Sequence, residues 1–267
     1  MRDSFTFGPS GAGRFSMKFA YHEIQFITIT GLATPPLISD IIGWRVAINL
    51  THSGSFECSS PLITKLYTTT VNNYLGITTS GMTVDCPHRD RRGYGGDGHT
   101  SYQFALQNFG VGAYFGKWMR DFADVQGPDG LVPFTAPTVS GGGGPAWSGF
   151  VVTNPWQTYV TYGDKTILED MYPTMVGLVA FFSNKTGADG LLHPWTTSMW
   201  DFLGDWITPH VRPVCTPFGS SPPPCVHAPS ICACVFSTLR LCREANRTQR
   251  VPRTSFSTRA TFGTSLH

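Results

Sequence analysis

Asp85-Cys86-Pro87-His88-Arg89-Asp90-Arg91-Arg92-Gly93-Tyr94-Gly95-Gly96-Asp97 concentrates three carboxylates, three arginines and a histidine in thirteen residues. Only 13% of the 267-residue chain is Asp, Glu, Lys or Arg, so this density marks a place where polar chemistry is gathered. Pro87 stops a helix, Gly93, Gly95 and Gly96 allow positive φ, and the large flat Tyr94 sits between them. The stretch reads as a short loop that presents polar groups at a cleft. The alternative is a surface loop of self-neutralising ion pairs, which are common and energetically cheap.

Helical patterns flank the loop. Upstream, Ser60 can cap a helix with Pro61 at its first position, and Leu62, Leu66, Thr70 and Tyr74 mark one face at four-residue spacing. Downstream, a helix over 101–125 carries Phe104, Val111, Phe115, Trp118, Met119 and Phe122 on an apolar stripe. Asn154 and Pro155 begin another, and the run from Thr166 to Phe182 is helical in period, with Pro173 expected to split it. Most of these aromatics are expected in the core. The glycines at 141–144 lack the Lys and Ser/Thr of a phosphate loop and read as a flexible loop beside Trp147.

Further out, the ends differ from the middle. Residues 17–31 and 42–50 are rich in β-branched and aromatic side chains and read as strands separated by the Pro35-Pro36 turn. All seven Trp and nine Tyr precede residue 211, whereas five of the seven Cys come after it. Residues 1–210 carry 12 basic and 16 acidic side chains, and residues 211–267 carry 7 and 1. The formal charge of +2 therefore averages two unlike segments. The tail's arginines lie among Ser, Thr, Pro and Cys without aromatic interleaving or amphipathic spacing, which argues against a nucleic-acid or membrane arm. Cys225, His227, Cys232, Cys234 and Cys242 show no paired zinc-knuckle spacing, so no metal is expected. The tail reads as disordered or loosely paired by disulfides. No 18-residue apolar run suggests a transmembrane helix, and the first residues lack the apolar core of a signal peptide, so the compartment stays open.

The central loop and the segments on either side of it resemble the α-L-rhamnosidases of glycoside hydrolase family 78. Their hallmark is Asp-Cys-Pro-x-Arg, then an acid, then Gly-aromatic-x-Gly-Asp, matched by Asp85 to Arg89, Asp90, and Gly93 to Asp97. Further matches occur in the family's order: Lys117 to Asp121, Gln126 with Asp129 to Pro133, Pro145-Ala146-Trp147, Pro155-Trp156, Tyr162-Gly163-Asp164 and Gly204-Asp205-Trp206. Upstream, Gly54 to Ser59 resembles the entry to the family's catalytic domain, and the resemblance spans about residues 20–209.

The resemblance implies a mainly α chain. Residues 1–56 would be a β-sandwich remnant, 57–209 the first half of a six-hairpin (α/α)6 barrel, and 210–267 an unrelated tail. It also implies inverting hydrolysis of terminal α-L-rhamnosyl residues without a cofactor. Inversion uses one carboxylic acid at the leaving oxygen and one carboxylate that activates water on the other face. By position the general acid is Asp90, where the family usually has Glu. Asp is one methylene shorter, and flanking arginines favour its ionised form. Asp85 and Asp97 match positions that bind rhamnose hydroxyls, and Arg89 one that holds the sugar or its partner carboxylate. Tyr94 stands where Trp is usual, Trp147 and Trp206 match pocket aromatics, and Asp205 is a further sugar-binding candidate. Cys86 is expected as a buried small residue. The family's general base is a Glu from the second half of the barrel, to which no residue here is matched. Glu244, the one acidic residue after residue 210, stands in sequence unlike the family, and Asp201 and Asp205 are the alternatives within the matching region. The expectation is therefore a truncated rhamnosidase of impaired activity, with a non-catalytic rhamnose-binding protein or a non-functional fragment as alternatives.

Overall fold

The computed structural model describes residues 2–193 and 195–196, and the expected roles of Asp201, Asp205, Trp206 and Glu244 and the expected disordered tail lie outside them. The described chain is mainly helical. After a single 3-10 turn at Ile38–Asp40 come α1 (Pro61–Ile77), the hairpin β1 (Thr78–Thr79) and β2 (Met82–Thr83), α2 (Gly95–Asn108), α3 (Gly112–Asp124), the short α4 (Pro145–Ser148), α5 (Phe150–Tyr162) and α6 (Thr166–Lys185). The hairpin turns on Ser80 and Gly81, both at positive φ, the geometry a two-residue turn demands.

The strands expected at 17–31 and 42–50 do not form. Among the described residues neither segment enters a sheet, although Ile48 N donates one backbone bond to Thr78 O of β1 (3.0 Å). A strand without a partner forms no ladder, and many of these apolar side chains stay exposed, Phe19 and Trp44 among them.

Three helix boundaries also differ from expectation. The helix expected over 101–125 is two, broken at Phe109, whose backbone is extended. Residues 51–54 cross this elbow: Gly110 N donates to Thr51 O (2.8 Å) and Ser53 N to Asn108 O (2.9 Å). Phe109 stacks on Tyr74, with ring centroids 5.6 Å apart, and is buried. α5 begins at Phe150, five residues before Pro155, and α6 runs unbroken through Pro173. Pro173 and Glu169, whose carbonyl loses its partner there, both face solvent, so water can take the bond while Met171, Thr174 and Met175 hold the helix by packing.

α1 turns a different face inward than four-residue spacing from Leu62 implies. Tyr74 is its buried residue, with Thr64, Tyr67 and Val71 half-buried on the same side, whereas Leu62 and Leu66 are exposed. The α3 stripe holds: Phe115, Trp118, Met119 and Phe122 are fully buried. α5 packs against α2, α3 and α6, and its Phe150 meets Trp118 edge-on at 5.2 Å. Trp118 Nε1 donates to Ala136 O (3.2 Å), so this buried indole leaves no polar atom unpaired. Truncating such a residue to Ala costs about 3–5 kcal/mol. This core fixes the end of α2 that carries the loop.

Candidate active site

The loop 85–97 is built by its own backbone. Asp85 N donates to Arg92 O (3.2 Å), closing the loop's base, and Arg92 N returns a bond to Asp85 Oδ1 (3.1 Å). Inside, the amides of Arg89 and Arg91 both reach Cys86 O, at 3.4 and 3.3 Å. The sharp point falls on Arg91, at φ 55, a left-handed conformation that costs a non-glycine residue about 1–2 kcal/mol.

The glycines serve a different purpose from the one expected. None of Gly93, Gly95 and Gly96 has a positive φ, and each is needed because another chain segment lies where a Cβ would be. On Gly93 it would meet Ala136 O, on Gly95 the carbonyl of Trp147, and on Gly96 the Trp147 indole itself. Residues 93–95 therefore zip onto 134–136, with Gly95 N donating to Phe134 O (2.8 Å) and Ala136 N to Gly93 O (3.1 Å). The 141–144 segment is likewise pinned at its second half. Gly143 and Gly144 are buried, and Ser148 Oγ donates to Val132 O (2.6 Å) and accepts from Gly144 N (3.3 Å).

This framework brings most of the expected residues together. Tyr94, just before α2, stacks on Phe134 (5.5 Å, planes 10° apart), and these two rings form one apolar cluster with Trp147. Tyr94 OH donates to Asp90 Oδ2 (3.4 Å). Asp90 also accepts from Arg89 Nε (3.2 Å), in a pair whose Arg89 side chain is 72% exposed. An exposed pair of this kind contributes little to stability. Arg91 does not flank Asp90 as its place in the sequence suggests: its Nε donates to Pro87 O (2.8 Å) and its guanidinium lies over the Tyr21 ring. Arg92 reaches Ser140 Oγ (2.5 Å).

Asp97 sits in the first turn of α2. Burial, and then the neighbouring Asp85 charge, push its carboxyl up to about 6. Tyr94 is likewise raised, by burial and then by the charges of Asp90 and Asp85. His99, two residues beyond Asp97, is held below its ordinary value by burial, although its Nδ1 bonds Ala146 O (2.8 Å). Cys86 is half-buried rather than buried. Its Sγ donates to Asp85 Oδ2 (2.7 Å) and accepts from Asp90 N (3.4 Å). A carboxylate perturbed as Asp97 is, close to aromatic walls, is a usual mark of a binding or catalytic site.

Four residues here are not apparent from the sequence. Phe134, Ser140, Tyr21 and Glu23 join the loop from long range, and only Phe134, next to the Asp129-to-Pro133 run, carries any local signal. Among the described residues, no group of three or more His, Cys, Asp or Glu side chains could hold a metal ion, and no helix is long and apolar enough to cross a membrane.

Comparison with known proteins bears on the same segment. Residues 51–229 match the family described as the bacterial alpha-L-rhamnosidase 6 hairpin glycosidase domain. An alpha-L-rhamnosidase of Formosa agariphila is 31% identical over 74% of this chain and 21% of its own. One from Streptomyces avermitilis is 28% identical over 77% of this chain and 19% of its own. The chain thus spans about a fifth of the length of these relatives. The crystal structure of the Streptomyces avermitilis enzyme complexed with L-rhamnose superposes with a TM-score of 0.61 at 27% identity, covering 74% of this chain and 18% of that one. The alpha-L-rhamnosidase from Dictyoglumus thermophilum gives 0.55 at 30% identity, covering 58% and 18%. With a hallmark loop, a mainly helical core and a family match over most of its length, the chain belongs to the six-hairpin glycosidase domain family of the bacterial α-L-rhamnosidases.

Proposed function

We propose that this site receives a terminal α-L-rhamnosyl residue, with Asp90 as the proton donor of an inverting hydrolysis that runs weakly in this chain. The observation that carries the reading is that Asp85 and Asp90 meet at Cys86 Sγ beside the stacked Tyr94 and Phe134 rings, with Asp97 in the first turn of the helix on which Trp147 packs. Asp85 and Asp97 are suited to accept sugar hydroxyls, and Arg89 keeps its exposed guanidinium beside the Asp90 carboxylate. Apolar rings would favour the C5 methyl of a deoxy sugar over a hydroxymethyl group. Asp205 and Trp206 are proposed to complete the sugar contacts. Neither a nucleic acid nor a membrane is part of this reading.

Weak turnover is expected from two features. The carboxylates gathered here come from one loop, whereas inversion needs a second one across the sugar, about 6.5–9.5 Å away. Asp90 also already accepts hydrogen bonds from Arg89 and Tyr94, which a leaving oxygen would have to displace. This pairing favours a second reading, a rhamnose-binding protein without catalysis. Measuring L-rhamnose binding and aryl α-L-rhamnoside turnover on one sample separates the two. Binding with slow turnover that azide accelerates, the anion attacking the anomeric carbon in place of activated water, supports the hydrolase. Binding with no turnover, with or without azide, supports the second reading, and absence of binding removes both.

A further inference from the structure

Two residues from far upstream, Tyr21 and Glu23, meet the site loop. Glu23 Oε2 lies 2.8 Å from His88 Nδ1, and the Tyr21 ring lies beneath the Arg91 guanidinium, 5.0 Å from ring centroid to charge. Between them, His22 Nε2 pairs with Asp3 (2.7 Å), its side chain only 14% exposed. Tyr21 is anchored in turn, its hydroxyl 3.4 Å from Thr79 Oγ1 in the hairpin that leads into the loop. The residue Tyr21 touches is also the one in the left-handed conformation.

We propose that Tyr21 is a positioning residue for the site loop, acting through Arg91; its connection to sugar binding rests on reading residues 85–97 as the site. The ring gives the Arg91 guanidinium a face to lie on, and the guanidinium's Nε is held on Pro87 O (2.8 Å). The contact has two effects. The left-handed turn is held in place, and with it the amides it aims: Asp90 N at Cys86 Sγ, Arg91 N at Cys86 O and Arg92 N at Asp85 Oδ1. Arg91 is also kept off the Asp90 carboxylate, which leaves Arg89 as the cation beside it. Without Tyr21 the Arg91 side chain can swing toward Asp90, and the turn relaxes toward negative φ.

Amide hydrogen exchange on the full chain tests this without any sugar. In Tyr21→Ala the amides of Asp90, Arg91 and Arg92 should exchange about two- to fivefold faster, the factor a partly exposed cation–π contact carries. Protection in α5 should not change, which also checks that the variant folds. Tyr21→Phe keeps the ring, losing only the hydroxyl contact to Thr79, and should restore most of the wild-type protection. In an Arg91→Gly background, where glycine adopts the positive φ freely, Tyr21→Ala should add nothing. Unchanged loop rates in Tyr21→Ala, no restoration by Phe, or an undiminished effect in Arg91→Gly overturns the proposal. L-rhamnose titration of the same samples reports separately on the site: a wild-type chain that binds no rhamnose removes the sugar-site reading and leaves the exchange result standing.

Discussion

The Cys86 thiol donates a hydrogen bond to the Asp85 carboxylate, Sγ to Oδ2 2.7 Å, and the same sulfur accepts the Asp90 amide at 3.4 Å. One small side chain thus links the start of the loop to the residue that carries the candidate acid. Glycine or alanine at position 86 would leave Asp85 Oδ2 without this donor, which gives the cysteine a role other than that of a nucleophile.

Burial first, then the bond to Asp85, raises the Cys86 thiol above its ordinary value. Iodoacetamide alkylation tracked against pH should accordingly show a late-ionising thiol, slow to react near neutrality. Asp85→Asn removes a negative charge beside the sulfur and should shift the alkylation profile to lower pH. A profile that stays in place would mean that the thiol and carboxylate do not interact in solution.

Asp97 supplies the pH dependence. Its carboxyl, raised from 3.8 to about 6, is harder to ionise in the folded chain than in the unfolded one. The folded state therefore holds its proton longer, and stability falls as pH rises between these values. The loss is absent below about 3.8, complete above about 6, and at most about 3 kcal/mol. Asp97→Asn lacks this titration. In urea unfolding, the stability of Asp97→Asn relative to wild type should grow from pH 4 to pH 7, and a constant difference would show that Asp97 titrates normally.

The loop's existence, the helical class and the α3 core were all legible in the sequence, because each rests on local residue spacing. Phe115, Trp118, Met119 and Phe122 announce a buried face by period alone. What was not legible depends on partners. Whether 17–31 forms a strand depends on a neighbouring strand. Whether Pro173 breaks α6 depends on which side of the helix meets water. The reason for Gly93, Gly95 and Gly96 is likewise non-local: residue type suggested positive φ, and only the approach of Ala136 and Trp147 reveals close packing. In the site, Arg91 and Arg92 look equivalent to Arg89 in sequence, yet the fold sends one to Tyr21 and the other to Ser140.

The glycine packing makes a paired prediction. A Cβ on Gly96 would meet the Trp147 indole, so Gly96→Ala should destabilise the fold by about 1–3 kcal/mol and alter tryptophan fluorescence. Gly116, inside α3, has nothing within 4 Å of its would-be Cβ and ordinary helical φ. Gly116→Ala should stabilise by about 0.5–1 kcal/mol. Thermal unfolding distinguishes them, and equal shifts for both would show that Trp147 does not rest on α2.

The last prediction ranks the carboxylates. Direct hydroxyl contacts hold the ground-state sugar, whereas a proton donor contributes mainly in the transition state. Asp85 and Asp97 are set back in the loop base and the first turn of α2, while Asp90 is exposed and already engaged by Arg89 and Tyr94. Titration calorimetry with L-rhamnose should therefore show Asp85→Ala and Asp97→Ala each weakening binding more than Asp90→Ala, by about 1–3 kcal/mol for a lost charged hydrogen bond. Asp85→Ala carries an added cost, because Arg92 N and the Cys86 thiol lose their acceptors. A second, weaker series with Asp85→Asn isolates the sugar contact from that loss. If all three alanine variants lose binding equally, the division between sugar-holding and proton-donating carboxylates does not apply to this loop.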